Sequence, residues 1–145
     1  MAGSAELLPG VVALDHTADV GIEVRAPSLP ALFHLAAAGM MALLWDRPPV
    51  GAGEDETEHT LGLKGEDLAG LLAAWLRELL FLHERDGVQY RSAEFETLEE
   101  HRLHARVRLA APSEPPAREL KGVTYHGLEV EERDGGWRAQ VIFDV

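Results

Sequence analysis

Val20-Gly21-Ile22-Glu23-Val24-Arg25-Ala26-Pro27-Ser28-Leu29-Pro30-Ala31-Leu32-Phe33 decides the fold class, because the hydrophobic period changes within it. Val20, Ile22 and Val24 alternate with Gly21, Glu23 and Arg25, the two-residue period of a half-buried strand. Ala26-Pro27 ends that strand. Ser28 is a good helix N-cap, and Pro30 suits the first turn. Leu29, Leu32, Phe33, Ala36, Met40, Leu43 and Leu44 then recur at three- and four-residue spacing, the stripe of a core-facing helix. Asp46-Arg47-Pro48-Pro49 stops it, since proline cannot continue a helix. His34 falls off the stripe and is expected in solvent.

The rest of the chain extends the same alternation of elements. Upstream, Val11 to Leu14 follows Pro9-Gly10 and reads as a strand. Downstream, Glu54-Asp55-Glu56-Thr57-Glu58 leads into a strand at His59 to Leu63, and the acidic run reads as a charged edge that resists edge-to-edge pairing. Gly65-Glu66-Asp67 opens a second helix with Leu68, Leu71, Leu72, Trp75, Leu76, Leu79 and Phe81-Leu82 on its apolar face and Arg77, Glu78 and Glu84 outward. Asp86-Gly87 ends it, with glycine available for a left-handed cap. Val88 to Leu98 and His101 to Ala110 read as strands. In the second, Arg102, His104, Arg106 and Arg108 form an outward basic row, expected to pair with acidic neighbours on adjacent strands. A docking surface for an anionic partner is the alternative. Arg133-Asp134-Gly135-Gly136 is a hairpin turn, and Trp137 to Val145 is the last strand. The sum is an α/β (α+β) protein: one two-layer domain over 1–145, with a mixed or antiparallel sheet of about six strands and two helices on one face.

Composition narrows the function. A chain of 145 residues suits one domain with a sizeable core. There is no cysteine, which excludes disulfides, zinc thiolates and thiol nucleophiles. No apolar run approaches the ~20 residues that span a bilayer, and no secretory signal is read at the start, so a cytoplasmic protein is expected. The net charge of −12 repels phosphate backbones, so little direct RNA binding is expected. The 13 basic residues include only two lysines, Lys64 and Lys121.

The densest polar stretch is Leu14-Asp15-His16-Thr17-Ala18-Asp19-Val20, with two carboxylates, an imidazole and a hydroxyl between two strands. By residue type alone, Asp and Thr at a strand junction cap turns. Asp144, beside Val145, would be a solvated terminal residue. No spacing shows that the two ends meet. No nucleophile elbow, phosphate loop or zinc pattern occurs, and His83-Glu84 lacks the second histidine of a zinc-protease helix.

The opening Leu14 to Val20 motif, the helix entered through Leu32-Phe33, the segment Lys121-Gly122-Val123-Thr124-Tyr125-His126 and the Asp144-Val145 end together resemble the archease family, in order and spacing over nearly the whole chain. Gly122 departs from the resemblance, standing where a small alanine-like residue is expected. The resemblance implies a non-enzymatic, chaperone-like activator of the GTP-dependent RNA-splicing ligase of tRNA splicing and RNA repair, which promotes guanylylation of the ligase and its multiple turnover. GTP is then used by the ligase, not by this chain. It also implies a divalent metal, calcium first and magnesium or manganese as alternatives, held by Asp19, Asp144 and the main-chain carboxylate of Val145. Asp15 and His16 carry over as a supporting shell, and Lys121 as a lysine that acts on the partner. Oxygen ligands suit such a hard cation, and three neighbouring carboxylates need one. Two other readings compete. One is a small metal-dependent phosphoester hydrolase using Asp15, Asp19, Asp144 and His16. The other is a general protein chaperone or tRNA-modification helper.

Overall fold

The computed structural model describes residues 4–15, 19–47 and 55–145. It contains eight strands and two helices in the order β1 (Ser4–Leu8), β2 (Val11–Asp15), β3 (Asp19–Ala26), α1 (Leu29–Trp45), β4 (Glu56–Lys64), α2 (Leu68–Asp86), β5 (Gln89–Leu98), β6 (Arg102–Ala110), β7 (Gly122–Arg133) and β8 (Gly136–Asp144). The α+β class, the antiparallel pairing and the two helices stand as the sequence leads one to expect. The strands form two sheets, however: five in the order β1-β2-β3-β8-β7 and three in the order β4-β6-β5. The expected single sheet of about six strands is thus divided, and β1 is additional, turned back onto β2 through Pro9-Gly10 with Gly10 at φ 86°.

The helices explain the division. Leu32, Phe33 and every residue from Ala36 to Trp45 are buried, so α1 is covered all round rather than along one stripe. It contacts β3 and β8 of the larger sheet and β5 of the smaller, while α2 contacts β7 on one side and β4 and β5 on the other. Both helices therefore lie between the sheets. Gly39 makes this approach possible: a Cβ there would come within 2.8 Å of Val11 Cγ1 and 3.2 Å of Ile22 Cδ1. The indole Nε1 of Trp75 donates to the Phe33 carbonyl at 2.9 Å and ties the helices together. Trp75 packs edge-on to Tyr90 and beside Phe95, so one hydrophobic core joins both sheets.

The termini of the helices are as read. Ser28 Oγ accepts from the Ala31 N–H at 3.3 Å, and Asp67 Oδ1 accepts from the Gly70 N–H at 2.7 Å. Gly87 caps α2 at φ 69°. Asp46, at φ 58°, caps α1, so the helix ends before the prolines. Asp134 and Gly135 both have positive φ, 53° and 77°, which matches the right-handed twist of the β7–β8 hairpin.

Three side chains differ from expectation. His34 is half-buried rather than solvated, with Nδ1 at 2.9 Å from the Tyr90 hydroxyl, and burial lowers its pKa. The second sheet covers the side of α1 that a one-sided helix would leave in water. Phe81 is exposed rather than in the core, because it lies on the outer face of α2. Arg77 does not simply face outward; it reaches back to β7. Among the described residues no helix is long and apolar enough to cross a membrane.

Candidate functional site

The two ends of the chain meet through strand pairing. β3 starts at Asp19 and β8 finishes at Asp144, and antiparallel pairing puts the two directly opposite. The core rungs fix this register: Val20 opposite Phe143, Ile22 opposite Val141, Val24 opposite Ala139. A one-residue slip would expose all of them, so the register is strongly specified. Asp19 and Asp144 have the other parity. They share the sheet face turned away from the helices, with Glu23, Gln140 and Arg138. Asp19 is half-buried and Asp144 exposed.

A third strand completes the arrangement. Gly122, first residue of β7, stands opposite Asp144 on its other side, and the Lys121 N–H donates to the Asp144 carbonyl at 2.8 Å. A Cβ on Gly122 would lie 3.9 Å from Asp144 Oδ2, an ordinary contact. The alanine expected from the resemblance would therefore fit, and glycine leaves that flank of the carboxylate open. Lys121 and Val145 are both exposed. Asp15 ends β2 opposite Val20, on the rung next to Asp19–Asp144. His16 lies outside the described residues.

Directly opposed like charges on neighbouring strands repel. Among the described residues, no group of three or more His, Cys, Asp or Glu side chains is gathered closely enough to hold a metal ion. Asp19 and Asp144 thus form a pair that needs further oxygen donors, and the chemistry of such a set suits a hard divalent cation rather than a thiophilic one.

Elsewhere the acidic and basic rows neutralise each other. Arg106 pairs with Glu94 at 2.8 Å and Glu96 at 3.3 Å, His104 with Glu96 at 3.1 Å, Arg108 with Glu58 at 3.7 Å, and Arg102 with Glu99 at 3.6 Å. The outward basic row is therefore a paired face, and Glu58 of the acidic run serves it on the edge strand β4. His83 is buried against Trp45, its Nδ1 at 3.1 Å from the Val88 carbonyl, and belongs to the core. On the outer face of the large sheet, Arg138 holds Glu23 at 2.8 Å and Glu129 at 2.9 Å. Its hydrogen bonds keep the Glu23 carboxyl below its ordinary pKa.

Sequence reasoning missed the latch beside this site. Arg77 on α2 donates to the Val123 carbonyl at 2.9 Å and to the Tyr125 hydroxyl at 2.7 Å, with its guanidinium carbon 4.3 Å from the Tyr125 ring centre. Tyr125 was within a quoted motif, but nothing in the helix pattern distinguished an outward Arg77 from one folded back onto β7.

Fold and site define a small α+β protein that gathers the ends of three strands around an opposed pair of aspartates. The Archease protein family (MTH1598/TM1083) matches residues 12–145, and the chain belongs to that family. It is 34% identical to the protein archease of Methanosarcina mazei over 91% of this chain and 93% of that one, and 36% identical to that of Methanopyrus kandleri over 91% and 96%. The solution structure of Methanobacterium thermoautotrophicum protein 1598 is similar with a TM-score of 0.74 at 26% identity, covering 95% of this chain and all of that one. The crystal structure of an archease from Thermotoga maritima, described as a possible chaperone, shares the fold with a TM-score of 0.61 at 20% identity, over 91% and 94% of the two chains.

Proposed function

We propose that this protein is a metal-binding activator of the GTP-dependent RNA-splicing ligase, promoting the guanylylation and repeated turnover of that enzyme rather than transforming a substrate itself. The observation that carries the reading is the opposition of Asp19 and Asp144 across β3 and β8. It joins the two halves of the site that the family resemblance assigns. Asp19, Asp144 and the Val145 carboxylate would hold a divalent ion, calcium in the first instance, with Asp15 and His16 alongside. When bound, the ion supplies a fixed positive charge that neutralises the carboxylates and offers open coordination positions to oxygen ligands. Lys121, exposed and joined to Asp144 through its backbone, would place a compact ammonium toward a phosphate or carboxylate of the partner.

Guanylylation of a purified cognate ligase, followed with and without this protein in the presence of GTP and divalent metal, tests the proposal. Stimulation should be lost in Asp144→Ala and in Lys121→Ala while both variants remain folded. A short extension after Val145 should weaken it as well. No stimulation by the unaltered protein in a cognate pair would sink the reading.

A further inference from the structure

In a protein of net charge −12, a cation without an anion beside it is unusual. Among the described residues, every arginine except Arg77 stands within salt-bridge distance of a carboxylate. The two bonds of Arg77 go to neutral oxygens, those of Val123 and Tyr125. Neither lysine has a carboxylate partner among the described residues. Arg77 and Lys64 come from different elements, yet both stand beside one side chain, and Lys121 lies further back along the same stretch of chain. Arg77, from α2, covers a face of the Tyr125 ring. Lys64, at the end of β4, lines the groove between the start of α2 and β7, whose opposite wall is Tyr125 and Leu128. Lys121 precedes β7, four residues before Tyr125. Tyr125 itself is 65% exposed, and Phe81, also exposed, lies one turn beyond Arg77 on α2.

An exposed aromatic held by arginine, with small residues such as Gly70 and Ala74 flooring the groove beside it, has the composition of an interface centre. Its ring and guanidinium are already fixed by two hydrogen bonds, so little side-chain entropy remains to be lost on binding. β7 is an edge strand of its sheet, but Arg77 occupies the outward Val123 carbonyl, so a partner strand cannot extend the sheet at that point. Recognition must run through side chains. We propose that this Tyr125-centred surface docks the partner protein, through an apolar pocket that takes the tyrosine ring and carboxylates that meet Arg77, Lys64 and Lys121.

The inference rests on the reading of the ligase as that partner, and it names the surface that reading lacks. Val123 adjoins Gly122, which stands opposite Asp144, so the docking strand is the neighbour of the strand that carries Asp144. A protein occupant fits better than RNA. Three cations are few for a backbone track, and a net charge of −12 opposes a polyanion more than a partner with a few carboxylates.

The test measures binding of the full chain to the purified cognate ligase by surface plasmon resonance at two salt concentrations, alongside the guanylylation assay. Tyr125→Ala, at an exposed ring, should weaken binding about 30-fold. Lys64→Glu should slow association and flatten its salt dependence, which a purely structural role would not do. An unaltered protein that binds and stimulates, with both variants binding equally well, overturns the docking surface and leaves the function standing. An unaltered protein that neither binds nor stimulates overturns both. Binding of a single-stranded RNA oligonucleotide that is lost in Lys64→Glu, with ligase binding unchanged, assigns the surface to RNA and overturns protein docking.

Discussion

Asp19→Asn separates a metal site from a mere pair of surface carboxylates, because it predicts a change of sign. The two side chains occupy directly opposed positions on β3 and β8, where Cβ atoms stand ~5 Å apart. Two unit charges at ~5 Å repel by about 0.8 kcal/mol at the dielectric of water and about 3 kcal/mol at an effective value near 20. Asp144 is exposed and Asp19 half-buried, so the low end applies, about 1 kcal/mol, in keeping with opposed charge pairs on sheets. Without metal, the amide should therefore stabilise the protein, raising Tm by about 4 °C for a chain of this length. With metal at a hundred times its Kd, the unaltered protein gains about 2.7 kcal/mol by mass action, or about 10 °C, and the variant little of it. Thermal melts by circular dichroism in chelator and in excess calcium should show the variant above the unaltered protein in the first buffer and below it in the second. Magnesium and manganese should rank by their own affinities. Equal metal-induced shifts in both proteins, or none in the unaltered protein, would refute the reasoning.

Four further outcomes follow from the geometry. Gly122→Ala should be tolerated and stabilise by about 0.5 kcal/mol in urea denaturation, since its Cβ meets only Asp144 Oδ2 at 3.9 Å and the unfolded chain loses freedom. Gly39→Ala should cost about 1–3 kcal/mol in the same assay, because its Cβ would press on Val11 at 2.8 Å in a packed core. Arg138→Met leaves Glu23 and Glu129 without their shared partner and should cost about 2 kcal/mol at neutral pH. Glu23 is held below its ordinary pKa in the folded state. The stabilisation is therefore present above the usual carboxylate range and lost as pH falls through the lowered folded value, so the gap between variant and unaltered protein should close as the pH is taken below that range. His34 titrates below the ordinary imidazole range because of burial. Stability should be full above about pH 6.5 and decline below it as the unfolded chain takes up the proton first. His34→Gln should flatten that limb of the pH–stability curve.

The elements were legible where a local rule acted alone. Ser28 as a cap, Gly87 as a left-handed end and Asp134-Gly135 as a hairpin each follow from one residue's conformational preference. The division into two sheets was not legible, because strand periodicity says which side of a strand is apolar and not which layer covers it. The signal lay in α1, where Ala36, Ala37, Ala38, Gly39 and Ala42 surround the marked stripe with small residues. Small side chains on the second face of a helix allow a second sheet to approach. The same layer buries His34, which a one-sided helix would have left wet. Phe81 erred in the other direction: an apolar residue beside Leu80 and Leu82 was counted with the core, though α2 turns it outward.

The site was legible in its residues and not in its assembly. Asp19 and Asp144 lie at opposite ends of the chain, and no spacing rule joins them; what joins them is the β3–β8 register set by Val20, Ile22, Val24, Val141 and Phe143. The aspartates are the polar positions left at the open end once those core residues are paired, which is why an acidic pair can stand there without disturbing the core. Tyr125 obeys the same logic on the neighbouring strand. Its partner Arg77 is 48 residues away on α2, and the two meet because α2 must pack its Leu72, Trp75, Leu76 and Leu79 face between the sheets. If that is the cause, a core change in α2 that shifts the helix without unfolding it, such as Leu76→Val, should loosen the Arg77–Tyr125 contact as well as cost about 1 kcal/mol. The Tyr125 ring resonances in NMR should then move toward those of a free tyrosine. Unmoved resonances in a destabilised variant would show that β7, and not the helix, holds the ring in place.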